Sequence, residues 1–566
     1  MRRRTKLWII IAGVAAVLLL LTVGLTALRG RVRSRSLLVL ELSGQIREEG
    51  PTSVLERLLE DRVDTILGLH ELLRGAALDS RISALLVRVS ALDVGAAKAA
   101  ELREQILRFR ESGKPTVALV EYAGTADYYV ASACEHVYVV PEGMIVLRGV
   151  MADVPFLRGT LDKLHIEPDF IARGRYKTAP EMFTRTDMSP AQREVIDSLL
   201  DAMHAQLRDG IAESRGLGPQ AVEALIDRAV FRSRNAVQAG LADDVLYEDE
   251  VVEALEARTG GDLHPLAHTE YQRKARFKQR GPRVAVVFAT GEIVLGSSAG
   301  APSGGKSLGS DTMAEILREV REDEGVRAVV LRVDSPGGSA TASDVIGREI
   351  ELTREKKPVV VSMSDLAASG GYWISVPASR VVARAGTLTG SIGVWAGKFN
   401  LRGLYDWAGV HREIITRSEN ADLFSDYRSF SPQQRRMLRQ ELESIYEAFV
   451  SRVAEGRGLD PKQVDRVARG RVWLGVQAKE HGLVDVLGGF DRALQEAREL
   501  AGIEADQPLR LEYHPRERGL VESLLSGDLA RLASTLRRLA TQLDAALRLL
   551  EGDAIQARVQ PLGLRF

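Results

Sequence analysis

The chain has few of the residues on which several protein classes depend. Among 566 residues there is one cysteine, Cys134, so no disulfide can form within the chain. Cys134 stands in an apolar run, and we expect it to be a small core residue. Lys and Arg number 76 against 77 Asp and Glu, so the basic excess typical of nucleic-acid-binding proteins is missing. We expect no nucleic-acid partner, and neither a metal nor a cofactor.

Uncharged runs of bilayer length are also scarce, and the clear one lies at the N-terminus. Leu7 to Leu28 carries no charge, and as a helix it would span about 33 Å, enough for a bilayer core. Its length and the lack of a small-x-small cleavage site predict an uncleaved anchor. Arginines stand on both sides of the run, so the positive-inside rule does not decide its orientation.

The chain repeats itself. Shifted by 244 positions, Ile82–Val89 falls on Val326–Val333, and after a two-residue deletion Gly240-Leu241 falls on Gly482-Leu483. In each copy, short β-branched runs alternate with helical patterns, which predicts α/β domains with mostly parallel sheets. In the second copy we predict strands and helices, with Asp311 and Ser431 as N-caps. The predicted strands are 328–333, 358–362, 380–383 and 413–416, and the predicted helices are 311–322, 342–356 and 433–456.

The two copies differ at small and reactive residues. Asp334-Ser335-Pro336-Gly337-Gly338 corresponds to Ser90-Ala91-Leu92-Asp93-Val94, and Ser369-Gly370-Gly371 corresponds to Thr125-Ala126-Asp127. Lys177 of the first copy corresponds to Ala421. A turn that only the fold required would recur in both halves, so these differences point to chemistry.

Ser369 is the candidate nucleophile. It follows a predicted strand, and we expect it near the start of the next helix, where Gly370 can direct its N–H at a substrate carbonyl oxygen. A second donor would come from Gly337 or Gly338. Two such amides form an oxyanion hole, and each is worth about 3 kcal/mol in the barrier.

A serine hydroxyl needs a base. None of the 9 histidines lies in a recognisable triad motif, and the serine is not in a G-x-S-x-G elbow. Lysine is the alternative, provided that burial or nearby cations lower its pKa. Lys177, in Arg173-Gly174-Arg175-Tyr176-Lys177-Thr178, fits because the other copy lacks it. A solvated lysine in a basic loop is the plain alternative.

Four motifs together resemble the signal peptide peptidase A family in its long, two-repeat, membrane-anchored bacterial form. They are Ala368–Trp373, Thr387–Gly393, Ser335–Gly338 and Tyr176-Lys177. The resemblance implies an α/β fold of tandem duplicated ClpP/crotonase-like (spiral ββα) domains and a Ser–Lys dyad.

The roles that the resemblance implies concern five residues. Ser369 would be the nucleophile and Lys177 the general base, Gly338 and Gly370 the oxyanion donors, and Ser391 the residue that orients the lysine amine.

The predicted domain plan has five parts. A transmembrane anchor at 7–28 precedes a first repeat at 37–258, and a linker at 259–281 leads to a second repeat at 282–505. The tail, 516–552, has leucines at spacings of three and four, which predicts an amphipathic helix.

The resemblance also implies a substrate and a setting. The enzyme would degrade cleaved signal peptides and other apolar peptides as a homo-oligomer, a tetramer in the long form. Its N-terminal helix would contact membrane lipid at the bacterial inner membrane, with the body on the periplasmic side.

Two other functions fit the same pattern. One is a crotonase-like acyl-CoA enzyme, which needs no Ser-Gly-Gly nucleophile. The other is a non-catalytic, membrane-anchored scaffold, which needs none of Ser369, the Pro-Gly-Gly turn and Lys177.

Overall fold

The computed structural model describes residues 32–50, 64–275, 280–298 and 306–516. The predicted anchor at 7–28, and the predicted tail helix from residue 517 onward, lie outside these ranges. None of the helices in the described ranges combines the length and the hydropathy that a membrane crossing requires.

The first repeat is built on a seven-stranded sheet with strand order β6-β4-β3-β2-β1-β8, and β7 pairs with β4. All pairs are parallel except that between β4 and β6. Its strands are β1 (Ser36–Gln45), β2 (Ile82–Asp93), β3 (Thr116–Ala123), β4 (His136–Val146), β5 (Glu167–Arg173), β6 (Val230–Arg232), β7 (Asp244–Val245) and β8 (His264–Ala267). Its helices are α1 (Ile66–Leu78), α2 (Ala96–Arg110), α3 (Thr125–Ala131), α4 (Arg158–Lys163), α5 (Glu181–Thr184), α6 (Pro190–Arg215), α7 (Pro219–Arg228), α8 (Ser233–Gln238), α9 (Glu248–Thr259) and α10 (His268–Lys274).

The second repeat has an eight-stranded sheet of matching order, β17-β15-β13-β12-β9-β19, with β14 between β13 and β18. Its strands are β9 (Arg283–Thr290), β10 (Glu292–Val294), β11 (Ser307–Gly309), β12 (Val326–Ser335), β13 (Val359–Ala368), β14 (Arg380–Ala383), β15 (Leu388–Gly390), β16 (Val394–Asn400), β17 (Val472–Leu474), β18 (Val486–Leu487) and β19 (Arg510–His514). Its helices are α11 (Ser310–Glu322), α12 (Ala340–Lys356), α13 (Gly370–Ser375), α14 (Arg402–Trp407), α15 (Pro432–Arg457), α16 (Pro461–Val467), α17 (Gly475–Glu480) and α18 (Phe490–Leu500).

Matching local signals shape the two copies. The long helices α6 and α15 each begin after a serine N-cap, Ser189 or Ser431, with proline at the first helical position. Each ends at a left-handed glycine, Gly216 or Gly458, which leaves the last turn capped without Cβ strain. The Ser431 cap predicted from the sequence is confirmed.

Two local predictions are wrong. Residues 413–416 form no strand: in the described chain this segment has no partner strand, and an unpaired strand leaves its backbone groups unsatisfied. Asp311 is not an N-cap, because helix α11 begins one residue earlier with Gly309 as its cap. The amide of Asp311 donates to the Gly296 carbonyl, and its carboxyl lies in the first turn, where a negative charge is favourable.

Residues 259–281, predicted as a connector, contain ordered elements. Strand β8 pairs with β1 at the edge of the first sheet, and helix α10 follows directly. Cys134 is buried, as expected, and burial raises the pKa of its thiol to about 12.

One apolar core runs from the first repeat into the second. It joins helices α1 and α2 to one face of the second sheet and to α18. A second core lies on the other face of that sheet, under α11, α12 and α15. The repeats therefore share buried surface, which fixes the first repeat against the sheet that carries the candidate nucleophile.

Candidate active site

Lys177 and Ser369 are 192 residues apart in the sequence, and their side chains meet. Lys177 Nζ lies 3.1 Å from Ser369 Oγ. The same nitrogen donates to the Ser391 carbonyl at 3.0 Å and lies 2.9 Å from Ser391 Oγ. The structure thus brings together three of the five residues singled out from the sequence.

A strand pair across the repeats places the lysine. Strand β5 of the first repeat pairs antiparallel with β16 of the second, and Arg173 lies opposite Val394. Lys177 follows the end of β5, and Ser391 precedes the start of β16. Because strand register is fixed residue by residue, the pairing of β5 with β16 places Lys177 beside Ser391 and Ser369.

The turn around Gly470 holds the two segments together. The Tyr176 amide donates to the Arg469 carbonyl at 2.7 Å, and the Ser391 amide donates to the Arg471 carbonyl at 2.7 Å. Gly470 has φ +82°, and a Cβ there would lie 2.4 Å from the backbone nitrogen of Lys177. Only glycine permits this approach. The sequence analysis missed Gly470, whose signal is visible only in three dimensions.

Ser369 lies at the turn between β13 and α13, near the start of the helix as expected, and it is the N-cap residue. Its φ of 55° and ψ of −118° are unfavourable for a residue with a Cβ. The Ser369 amide donates to the Gly390 carbonyl at 2.9 Å. A Cβ at Gly371 would lie 2.6 Å from the Ser335 carbonyl oxygen, so the Ser-Gly-Gly sequence lets the helix start against the neighbouring turn.

The amides of Gly338 and Gly370 lie side by side. Gly337 and Gly338 have φ of +94° and +155°, and a Cβ on Gly370 would lie 3.1 Å from the Gly338 nitrogen. Ile293 holds the turn through its amide, which donates to the Gly337 carbonyl at 2.8 Å. Within the described residues neither the Gly338 nor the Gly370 amide has an acceptor, so both N–H groups are free for a substrate oxygen.

Burial sets the electrostatics of the lysine. Lys177 is 8% exposed, and this burial lowers the pKa of its amine to about 8. At pH 7 about a tenth of the amine is therefore neutral, far more than in an ordinary lysine. Of the two ways considered for lowering this pKa, burial or nearby cations, the structure supports burial.

The first repeat also supports the turn that carries Gly338. Lys98 Nζ lies 2.8 Å from Asp334 Oδ2, and Asp334 Oδ1 accepts from the Leu366 amide at 3.1 Å. Asp365 in turn accepts from the Ala97 and Lys98 amides at 3.0 and 2.9 Å. These contacts were not predicted, because they join positions whose proximity depends on how the repeats pack.

A cavity of about 400 Å³ opens beside the dyad. Trp373, Val394, Ile445 and Phe449 form apolar walls, and the rings of Trp373 and Phe449 are 4.5 Å apart. Ile445 and Phe449 were not singled out from the sequence, although their spacing of four on a helix is a recognisable signal.

In the described ranges no three His, Cys, Asp or Glu side chains are grouped closely enough to hold a metal ion.

A family model decides the relationship. The model for peptidase family S49 matches the chain twice, at residues 108–261 and 351–504. The chain belongs to peptidase family S49. The two matches fall one in each repeat, so this S49 peptidase is a tandem duplication of one α/β domain.

Curated relatives agree over most of the chain. A "Serine protease SPPA, chloroplastic" from Arabidopsis thaliana is 33% identical over 95% of this chain and 79% of its own. A "Protease 4" from Salmonella typhi is 35% identical over 74% of this chain and 68% of its own. A "Protease 4" from Haemophilus influenzae is 33% identical over 74% and 71%. The chain is thus a serine-type peptidase, rather than an acyl-CoA enzyme or a non-catalytic scaffold.

A solved structure, that of a ClpP1 point mutant from Listeria monocytogenes, is more distant. It aligns with 37% of this chain and 94% of its own at 15% identity, with a TM-score of 0.25. A score this low carries no argument about fold or function.

Proposed function

We propose that this S49 peptidase cleaves peptide bonds with Ser369 as nucleophile and Lys177 as general base. The observation that carries the proposal is the 3.1 Å separation between Lys177 Nζ and Ser369 Oγ. That distance is within direct proton-transfer reach, and the buried amine has a lowered pKa.

The steps follow from these positions. Neutral Lys177 takes the proton of the Ser369 hydroxyl as Oγ attacks the peptide carbonyl carbon. The resulting oxyanion accepts from the Gly338 and Gly370 amides. Collapse breaks the C–N bond, the lysine ammonium gives its proton to the leaving amine, and an acyl-enzyme remains. Lys177, neutral again, takes a proton from water as the water oxygen attacks the ester carbonyl. The C–Oγ bond then breaks, the lysine ammonium returns its proton to Ser369 Oγ, and the acid is released.

Ser391 orients the base. Its carbonyl and hydroxyl oxygens both lie within 3.0 Å of Lys177 Nζ. When these oxygens accept the two hydrogens of the neutral amine, the nitrogen lone pair points toward the remaining neighbour, Ser369.

The walls of the cavity indicate the substrate. Trp373, Val394, Ile445 and Phe449 present apolar surface beside the nucleophile, so an aliphatic side chain next to the scissile bond would lose water there. Cleaved signal peptides, which the family resemblance implies, are rich in such side chains.

The fold class, the anchor and the location complete the proposal. Each repeat is assigned to the ClpP/crotonase-like spiral class, and residues 7–28 are assigned to a single span of the bacterial inner membrane. The body is placed on the periplasmic side, where spent signal peptides would be reached from the membrane surface. The charge-free run supports the span, and the family resemblance supports the side.

We propose a homo-oligomer, a tetramer by resemblance. Strands β5 and β16 pair within the chain. The segment of the second repeat that corresponds to β5 is 411–417, and the segment of the first repeat that corresponds to β16 is 150–156. Neither forms a strand in the described residues. Both are exposed, with Ile415 78% and Met151 85% accessible. Neighbouring chains that paired these segments as β5 and β16 pair would extend the same contact around a ring.

A serine-directed fluorophosphonate probe and a peptide assay test the dyad. The intact chain should label at Ser369 and hydrolyse an apolar peptide. Ser369→Ala should lose both properties, and Lys177→Met should lose hydrolysis while its unfolding remains cooperative. Full turnover by either variant would refute the assignment.

A further inference from the structure

The first repeat contains a second apolar cavity, of about 230 Å³. It lies beside α3, the helix that corresponds to the nucleophile helix α13 of the second repeat. Its floor is buried, since Ala99 is 5%, Tyr129 7% and Leu207 7% exposed. Its rim is half-buried and includes Val150 and Met203.

The walls of this cavity correspond position by position to those of the active-site cavity. Under the shift of 244, and of 242 after the deletion, the walls of the first cavity fall on walls of the second. The first cavity has Ala96, Tyr129, Val150, Met203 and Leu207, and the second has Ala340, Trp373, Val394, Ile445 and Phe449. Each pair is apolar, so the duplication has kept the apolar walls of a side-chain pocket, in a smaller volume of about 230 Å³ against about 400 Å³.

The chemistry has not been kept. Thr125 stands where Ser369 stands, and its Oγ1 accepts from the Arg148 amide at 3.0 Å. The backbone conformation of the Ser369 turn does not recur here, because Thr125 lacks the positive φ of Ser369. The position of the base, Lys177, is occupied by Ala421 in the other copy.

A buried carboxylate binds the segment that corresponds to the oxyanion turn. Asp127, at the position of Gly371, accepts from the Leu92 amide at 2.8 Å and from the Gly124 amide at 2.8 Å. Val94 stands at the position of Gly338. The first cavity therefore has room for a side chain and no means of cleaving the peptide that carries it.

We propose that the first repeat is a non-catalytic peptide-binding site, which holds an aliphatic side chain of an apolar peptide in this cavity. The occupant is taken from the matched cavity, so the inference rests on the proposed function of the second repeat. Twelve residues line the cavity, five of them the walls matched above. An apolar side chain seated there would make packing contacts that the empty cavity lacks.

Photo-crosslinking of the full chain carrying Ser369→Ala tests the site, because the probe then survives. The probe is a hexapeptide of alanine and leucine with one photo-leucine and charged ends. After irradiation, peptide mapping should find two sets of adducts, one near Met203 on α6 and one near Ile445 on α15.

Matched variants assign each adduct. Met203→Glu places a charge in the first cavity and should reduce its adduct at least tenfold, while the adduct near Ile445 persists and reports a folded chain. Ile445→Glu should do the reverse. If Met203→Glu unfolds the chain, Val150→Trp fills the same cavity without adding charge.

The outcomes separate the two proposals. Suppose that the wild-type protein hydrolyses the peptide and that the Ser369→Ala variant gives adducts near Ile445 only. This result would overturn the first-repeat site and leave the proposed function intact. An adduct near Met203 that Met203→Glu and Val150→Trp do not reduce would also overturn it. No hydrolysis and no adduct near Ile445 would instead refute the proposed function.

Discussion

On the proposed assignment, the chemistry depends on the amine of one residue, Lys177, because a lysine acts as a base only when it is neutral. Burial lowers its pKa to about 8, and the hydrogen bonds to Ser391 hold it beside Ser369. Both properties come from the packing of two repeats around one side chain, and they lead to separate predictions.

The pH dependence of turnover should follow this amine. We expect kcat/KM for an apolar peptide to rise about tenfold per pH unit below pH 8 and to level off above it, because only the neutral amine accepts the serine proton. A pH–rate profile of the intact protein checks this. A profile that is flat between pH 6 and 9 would contradict a lysine base.

The same burial should cost stability. The folded-state pKa of Lys177 is about 8 against an ordinary 10.5, so between these values the unfolded chain binds more protons and stability rises with pH. Below pH 8 the full cost applies, about 3 kcal/mol. Lys177→Met removes this cost together with some hydrogen bonding, and should raise the free energy of unfolding at pH 7 by about 2 kcal/mol.

Urea unfolding of the wild type and of Lys177→Met at pH 7 and pH 10.5 measures the difference. Most of the gain should disappear at the higher pH, where the wild-type amine is neutral in the folded state and about half neutral in the unfolded state. A variant less stable than the wild type at pH 7 would show that the amine is not held at a cost.

At the scale of elements, two turns with glycine carry the proposed oxyanion donors. The turn after β12 presents Gly338, and the start of α13 presents Gly370. A side chain at either glycine meets its neighbours at once: a Cβ on Gly338 would lie 2.1 Å from the Ile293 carbonyl oxygen.

Gly370→Ala should therefore disable the proposed oxyanion site. Its Cβ would lie 2.5 Å from Ser343 Oγ and 3.1 Å from the Gly338 nitrogen, which moves the two amides apart. We expect kcat to fall by about 10²–10³ with folding retained. Steady-state kinetics measure the loss, and circular dichroism measures the fold.

Gly159→Ala is the matched control, because a Cβ there meets nothing within 4 Å. It should leave kcat unchanged. Equal kinetics for the two variants would exclude Gly370 from the oxyanion site.

Most helices and strands could be predicted from local sequence patterns, whereas the candidate reactive residues could be predicted from the comparison between the two copies. Local patterns indicate β12, β13, β14 and the helices α11, α12 and α15, because periodicity and caps are local. Lys177 and Ser369 stand out because the duplication supplies a comparison within one chain; their catalytic roles stay predictions.

What the sequence could not supply is contact between distant segments. The strand predicted at 413–416 has the same pattern as β5, yet only β5 has a partner in the described chain. Gly470 and Lys98 contact the site through the packing of the repeats, and nothing in their local sequence indicates this.

At the scale of the whole molecule, a buried ion cluster joins the repeats. Arg332 of β12 donates to Glu48 at 2.8 Å and to Glu101 at 2.7 Å, both from the first repeat. Burial opposes ionisation of Glu101, but the Arg332 and Arg384 guanidinium groups and the Phe490 amide together outweigh it and lower the pKa of that carboxyl to about 2.

Arg332→Met should destabilise the protein by about 3–5 kcal/mol, because it removes the buried cation that Glu48 and Glu101 share and leaves Glu48 with Lys98 Nζ at 3.4 Å. The duplication supplies the control. Arg88, at the equivalent position of the first repeat, is 31% exposed and pairs with Glu41 and Glu248, so Arg88→Met should cost less than about 1 kcal/mol. Denaturant unfolding compares the two, and equal losses would argue against a structural role for the inter-repeat cluster.

The division of the dyad between the repeats has a consequence during synthesis. A ribosome that adds about 5–20 residues per second completes Lys177 roughly 10–40 s before it reaches Ser369, 192 residues later. On the proposed assignment, no nascent chain can cut its neighbours or itself in that interval. On that assignment, the active site becomes complete only after the second repeat has been synthesised and has folded against the first.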